Sequence, residues 1–299
     1  MAYDSADASM LVFGGLNGWA SGVGNTSVLG DTWRLRGSVW TQLNPARSPS
    51  ARLHHRMASD TTHGKVYLFG GQGAPGATRN NELWEWSGGN WTQLCTTAPC
   101  NAMMPTARAI AGLAYDTARD RLVLVGGQEQ DNSGANDMWE WDGVAWSLVC
   151  GKSAPSCGIV SRDLYGGIAY DEARRRIVYL DAGVNYEFDG VAWTRPASSS
   201  APPFTSAVFS NVFDATRGTL VALGNYGGGA PATTPHVWEW NGACWADTVP
   251  GGGVAHGLYG QVMAYDPPNK RLVRFGGEMP WTGTPPQTYS ANIWERSSL

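Results

Sequence analysis

Apolar and polar positions along this chain fall into a pattern that returns six times. Each round opens on a short run ending in Asp: "MAYD" at Asp4, "MASD" at Asp60, "LAYD" at Asp116, "IAYD" at Asp171, "NVFD" at Asp214 and "MAYD" at Asp266. A polar turn follows, and then an apolar run such as "MLVFGG", "KVYLFGG" or "RLVLVGG", which reads as a buried strand ended by a turn. Ten residues after each Asp stands Gly14, Gly70, Gly126, Asp181, Gly224 or Gly276, so five of the six sites are glycine.

Further along each round come "DTWRL", "ELWEWSGGNWTQL", "DMWEWDGVAWSLV", "YEFDGVAWTRP" and "VWEWNGACWAD". Residues at i and i+2 of a strand share a face, and Ser-Gly-Gly, Asp-Gly or Asn-Gly makes a tight hairpin. The pattern therefore predicts four antiparallel strands per repeat. The Trp residues are expected to pack between neighbouring repeats, and the Gly pair to turn the backbone where a side chain would collide with the next one.

A repeat of 43 to 56 residues carrying four strands matches a β-propeller, in which each blade buries its faces against its neighbours. The expectation is an all-β, six-bladed propeller forming a single domain over 1–299, with repeats at about 1–51, 52–107, 108–161, 162–205, 206–257 and 258–299. The last repeat stops at "NIWERSSL" with no second Trp. Its blade is thus expected to be incomplete, or the chain to be part of a longer one.

These residues resemble the kelch family: an Arg, sometimes with a His, before a first strand ending Tyr-Asp, then Gly-Gly, then Trp, then a second Trp. The resemblance covers essentially the whole chain and implies a kelch-type propeller. It implies no activity, because kelch propellers serve as enzymes, as sugar-handling proteins and as protein-interaction modules. The Tyr-His dipeptide of the galactose oxidase copper set is absent, and no Glu begins the Glu, Asp, His series at four-residue steps found in nitrile specifier proteins. Both activities are disfavoured.

Composition narrows the classes further. The 39 Gly, 17 Pro and 15 Trp disfavour helical architectures. A formal charge of -4 gives no basic field for nucleic acid or anionic membranes. No apolar run approaches the ~20 residues needed to span a bilayer, so membrane insertion is not expected.

Of the five cysteines, Cys95 with Cys100 and Cys150 with Cys157 form close pairs inside Pro-containing loops, at the same place in two repeats. Neither pair has zinc-ligand spacing or His partners. Disulfides are expected, leaving Cys244 free, with reduced thiols as the alternative. Disulfides favour an extracytoplasmic or secreted location, although the chain shows no signal peptide.

Loop lengths choose a side. Connections from first to second and third to fourth strand are short, whereas those from second to third strand and between repeats are long and emerge together. Ligand groups usually sit on such loops. Arg52, Arg108 and Arg162 precede three first strands, and His256 falls near the same place before the sixth. They are candidates to hold an anionic or sugar ligand at a channel mouth. The structural alternative pairs each Arg with a carboxylate of an adjacent blade, such as Glu85, Glu140 or Glu187.

Repeat four shortens its loop and replaces the Gly pair by Asp181-Ala182-Gly183, which suggests a notch lined by Asp181 and Tyr186 beside Tyr165. Trp19 and Trp281 lie in long loops outside the repeat pattern and are candidates for sugar stacking or partner docking. His54 and His55, adjacent on a strand, point to opposite faces and make a poor metal cluster, so no metal or cofactor is expected. The leading reading is a binding module for a glycan, a small polar ligand or a protein. The alternative is an enzyme acting on a sugar-like ligand with Arg162, Tyr165, Asp181 and His256.

Overall fold

A computed structural model describes residues 1–17, 27–74, 77–98, 100–151, 157–158, 167–181, 184–197, 208–224, 236–248, 261–276 and 294–297. Within them the chain is an all-β propeller in which five repeats form four-stranded antiparallel sheets, with strands in simple up-and-down order. Among the described residues the sixth repeat forms a three-stranded sheet, so the expectation of six blades, the last of them incomplete, is corrected to five four-stranded blades. In the five full blades the fourth strand follows a Gly-containing hairpin and carries a Trp.

The blades divide between two compact units, Met1–Leu164 and Tyr165–Leu299. In the first unit, blade 1 is built from Ala2–Asp4, Ser9–Asn17, Ser27–Arg36 and Val39–Leu43. Blade 2 comprises Arg56–Asp60, Lys65–Phe69, Leu83–Ser87 and Asn90–Leu94. Blade 3 comprises Gly112–Asp116, Arg121–Val125, Met138–Trp141 and Trp146–Cys150.

The recurring Asp that ends each first strand has a physical reason to recur. Asp60 is fully buried, and its Oδ1 accepts the backbone N–H groups of Thr62 at 3.1 Å and His63 at 3.0 Å. Asp116 does the same for Ala118 and Arg119. Each is an Asx-type turn in which the buried carboxylate closes the first hairpin by accepting the backbone donors of the turn.

The glycine ten residues later answers to a close approach between blades. A Cβ on Gly70 would lie 2.5 Å from the Arg108 carbonyl of blade 3, and the residue holds φ at 70°. Gly14 meets the Arg52 carbonyl of blade 2 in the same way, at 2.8 Å. The following glycine then donates its N–H to that carbonyl, Gly15 to Arg52 at 2.9 Å and Gly71 to Arg108 at 3.0 Å. Two neighbouring blades are thereby stitched through backbone.

Tryptophans of the later strands pack back onto the preceding blade, between repeats as expected. Trp91 is fully buried, lies edge-on to Phe13 and donates Nε1–H to Thr32 Oγ1 at 3.1 Å. Trp86 reaches Asp4 Oδ2 at 2.9 Å, and Trp146 packs edge-on to Phe69. Indoles therefore fill the space between blades, and Trp86 and Trp91 also satisfy their one donor there.

In the second unit, blade 4 runs through Gly167–Asp171, Arg176–Asp181, Val184–Phe188 and Trp193–Thr194. Blade 5 runs through Val208–Asp214, Thr219–Gly224, His236–Trp240 and Trp245–Asp247. The three-stranded sheet is Val262–Asp266, Arg271–Phe275 and Trp294–Ser297. The same rules hold here: Trp240 is fully buried and donates to Glu187 Oε1 of blade 4 at 2.9 Å.

Candidate functional site

Arg52 and Arg108 precede the first strands of blades 2 and 3, and both are fully buried. Arg108 donates Nε to the Thr106 carbonyl, Nη1 to the Gly126 carbonyl and Asp137 Oδ1, and Nη2 to Thr106 Oγ1 and Asp137 Oδ2, all at 2.5–3.0 Å. All five guanidinium donors are thus engaged. Arg52 repeats the arrangement with Ser50, the Gly70 carbonyl and Glu82.

Each Arg ties together three segments of its own blade: the approach to the first strand, the glycine turn and the start of the third strand. Trp84 and Trp139, two residues beyond the acids, add indole donors to Glu82 and Asp137 at 3.1 and 2.9 Å. Burial works against the Glu82 carboxylate, but the bonds from Arg52 and Trp84 outweigh it and hold its pKa below the usual range. The acids Glu85, Glu140 and Glu187 have other cations, namely Lys65, Arg119 and Arg174.

On the same side of the blades, the long loops of blades 2 and 3 are knitted to each other. Leu53 pairs with Gln72, and Gln72 with Arg79. The Arg79 backbone N–H donates to Gln130 Oε1 at 2.8 Å, and its Nη2 to Gln128 Oε1 at 2.6 Å and Asn132 Oδ1 at 2.8 Å. Arg108 N donates to the Asn80 carbonyl and Ile110 N to the His54 carbonyl.

Arg56 Nε donates to the Ala111 carbonyl at 2.9 Å. Burial, with Arg56 and Arg79 adding to it, pushes the His54 imidazole down to about 4. His55 is also held well below its usual range, again by burial first, with Arg52 and Arg56 among its cationic neighbours. Both rings are therefore neutral at pH 7. Arg79 was not singled out by the sequence, which presents it as one more polar loop residue in "GATRNN".

Arg162, Tyr165, His256, Trp19 and Trp281 lie outside the described residues. Tyr186 is buried on the third strand of blade 4, where its hydroxyl accepts from Arg195 Nη2 at 2.9 Å and its ring lies beneath that guanidinium. The backbone of Asp181 pairs with Val184. In blades 2 and 3 the equivalent pairing joins Gly70 to Glu82 and Gly126 to Asp137. In blade 4 the residue at the glycine position is Asp181, whose side chain lies outside what the structure describes.

Both expected disulfides are present, Cys95–Cys100 and Cys150–Cys157, and Cys244 is free. The two bonds fit an extracellular location. Among the described residues no group of three or more His, Cys, Asp or Glu side chains is placed to hold a metal ion, and no helix is long and apolar enough to cross a membrane.

No known family profile matches the chain. Over 143 residues it is 31% identical to the tRNA wybutosine-synthesizing protein 4 of Emericella nidulans, a match covering 46% of this chain and 12% of that protein. Over 256 residues it is 23% identical to the multiple epidermal growth factor-like domains protein 8 of Homo sapiens, covering 84% of this chain and 7% of that protein. The chain thus spans only a small fraction of either relative's length.

Proposed function

We propose that this chain is a binding module, a kelch-type propeller whose looped side recognises a glycan or a protein outside the cytoplasm. The observation that carries the reading is the knitting of adjacent long loops, Arg79 to Gln128, Gln130 and Asn132. Loops held to one another present a preorganised surface, which lowers the ordering cost of binding.

Two further features support it. The strongly polar groups at the strand ends of blades 2 and 3 are spent on intrablade bonds, so recognition falls to the loops. The two relatives carry unrelated names, as expected of a scaffold reused for different tasks.

A glycan array probed with the purified, unreduced protein tests the reading, with a co-crystal structure of the best binder to follow. Dose-dependent capture, with the ligand seated on the connections between second and third strands, is the expected result. A ligand seated on the Ser87–Asn90 side of the blades would overturn it.

A further inference from the structure

The hairpin between the third and fourth strands of blade 2 carries Asn90-Trp91-Thr92, which has the Asn-X-Thr spacing, with X not Pro, of an N-glycan acceptor. Such triplets also arise by chance, so the geometry around this one decides its meaning.

Gly88 and Gly89 hold φ at 59° and 83°, and this two-residue turn brings Ser87 into register with Asn90. Asn90 therefore opens the fourth strand beside an exposed hairpin tip. Side chains alternate along a strand, so Asn90 and Thr92 share one face and Trp91 takes the other. Trp91 is fully buried against blade 1, which turns the two acceptor residues away from that core. Thr92 is exposed and Asn90 half-buried.

The amide of Asn90 is divided in a way that suits modification. Its Oδ1 accepts the backbone N–H of Arg47 at 3.0 Å, which orients the group and fixes which end is the oxygen. Its Nδ2 makes no hydrogen bond among the described residues, yet it is not a buried atom, so it faces water. A glycosylated asparagine keeps Oδ1 and one N–H, and the bond from Arg47 therefore survives the modification.

The repeat itself does not call for asparagine here. The residue before the fourth-strand Trp is Val39, Ala145, Ala192 or Cys244 in the other full blades. A hydroxyl residue after that Trp is common, as Thr41, Ser147 and Thr194 show, so Asn90 is what completes the triplet. Ser147 and Thr194 spend their hydroxyls on the carbonyls of Glu140 and Glu187, both at 3.3 Å. Among the described residues Thr92 makes no such bond, which leaves its hydroxyl available.

We propose that Asn90 is an acceptor of an N-linked glycan. The proposal rests on the extracytoplasmic location that the two disulfides favour, because the donor, a lipid-linked pyrophosphoryl oligosaccharide, is used along the secretory route. Asn90 Nδ2 forms a bond to the anomeric carbon of the first sugar while the bond from that carbon to the phosphate oxygen breaks. The lipid pyrophosphate leaves with the electron pair, and one Nδ2 proton passes to a base of the transferase. The glycan then stands on the outermost strand of blade 2, which pairs on one side only within its sheet. A bulky, solvated group at that edge hinders edge-to-edge pairing between molecules. It also leaves the long loops at the other end of the blade uncovered.

The test directs the full chain into a mammalian secretory pathway with a cleavable leader and maps the Asn90 peptide by mass spectrometry, before and after peptide N-glycosidase. The chain's other such triplet, Asn25-Thr26-Ser27, is removed by Asn25→Gln so that any glycan read belongs to Asn90. The expected result is the mass of one N-glycan on that peptide, released by the enzyme from the native, unreduced protein and lost completely in both Asn90→Gln and Thr92→Ala. An unmodified Asn90 in the chain that keeps both acceptor residues, recovered from the medium or from the secretory compartments, would overturn the site whether or not the variants fold. A glycan that persists in Thr92→Ala, or one released only after denaturation, would overturn it as well.

Discussion

Replacing Asp137 by Ala would leave the Arg108 guanidinium buried with two of its five bonds gone. Removing one partner of a buried pair costs about 3–5 kcal/mol, because the surviving charge stays out of water uncompensated. Urea unfolding of Asp137→Ala should show a loss of that order. The double change Arg108→Met with Asp137→Leu should recover much of it, and a double variant no better than the single would place the cost elsewhere. A second residue-scale effect concerns pH. His54 is held near 4 against an ordinary value of about 6.5, and His55 is displaced in the same direction. The unfolded chain therefore binds protons on acidification that the folded chain refuses. Stability should fall as pH drops from ~6.5 toward 4, with lowered Glu82 extending the loss below that point. His54 keeps part of its surface exposed, which limits its share. A melting temperature flat between pH 7 and 4 would contradict the assignment.

At the scale of the blade, the glycine turn is the element on which neighbouring sheets depend. Gly70→Ala would set a Cβ against the Arg108 carbonyl at 2.5 Å in a conformation that L residues rarely adopt. The expected cost is on the order of 2 kcal/mol, read by chemical denaturation. Gly88→Ala is the control, since its Cβ would meet open space at a similarly positive φ. If both cost the same, the effect is backbone strain alone and blade contact adds nothing. The Asp and Gly landmarks were legible in the sequence because each recurs at a fixed offset in the repeat, the Asp for its own turn and the Gly for the approach of the next blade. The partners of Arg52 and Arg108 were not. Glu85 and Glu140 match them by repeat, but they lie three residues along the third strand from Glu82 and Asp137, and strand alternation turns them to the other face. Arg79 escaped notice for a further reason. Its burial is created by the loop of the next blade, about fifty residues away, and nothing local to "GATRNN" records that contact.

At the scale of the molecule, six rounds of one pattern produce sheets whose polar residues serve the blades, while variation collects in the connections on one side. The central claim is that recognition takes place there. The most direct measurement compares ligand capture by surface variants on the two sides of blades 2 and 3. Arg79→Gln and Gln128→Ala alter the knitted loops, and Asn90→Gly and Val144→Asp alter the exposed hairpins at the other end of the same strands. With the best binder from the array as the probe, the first two should weaken binding at least tenfold and the last two should leave it within experimental error. Binding that survives the loop variants and falls with the hairpin variants would contradict the account.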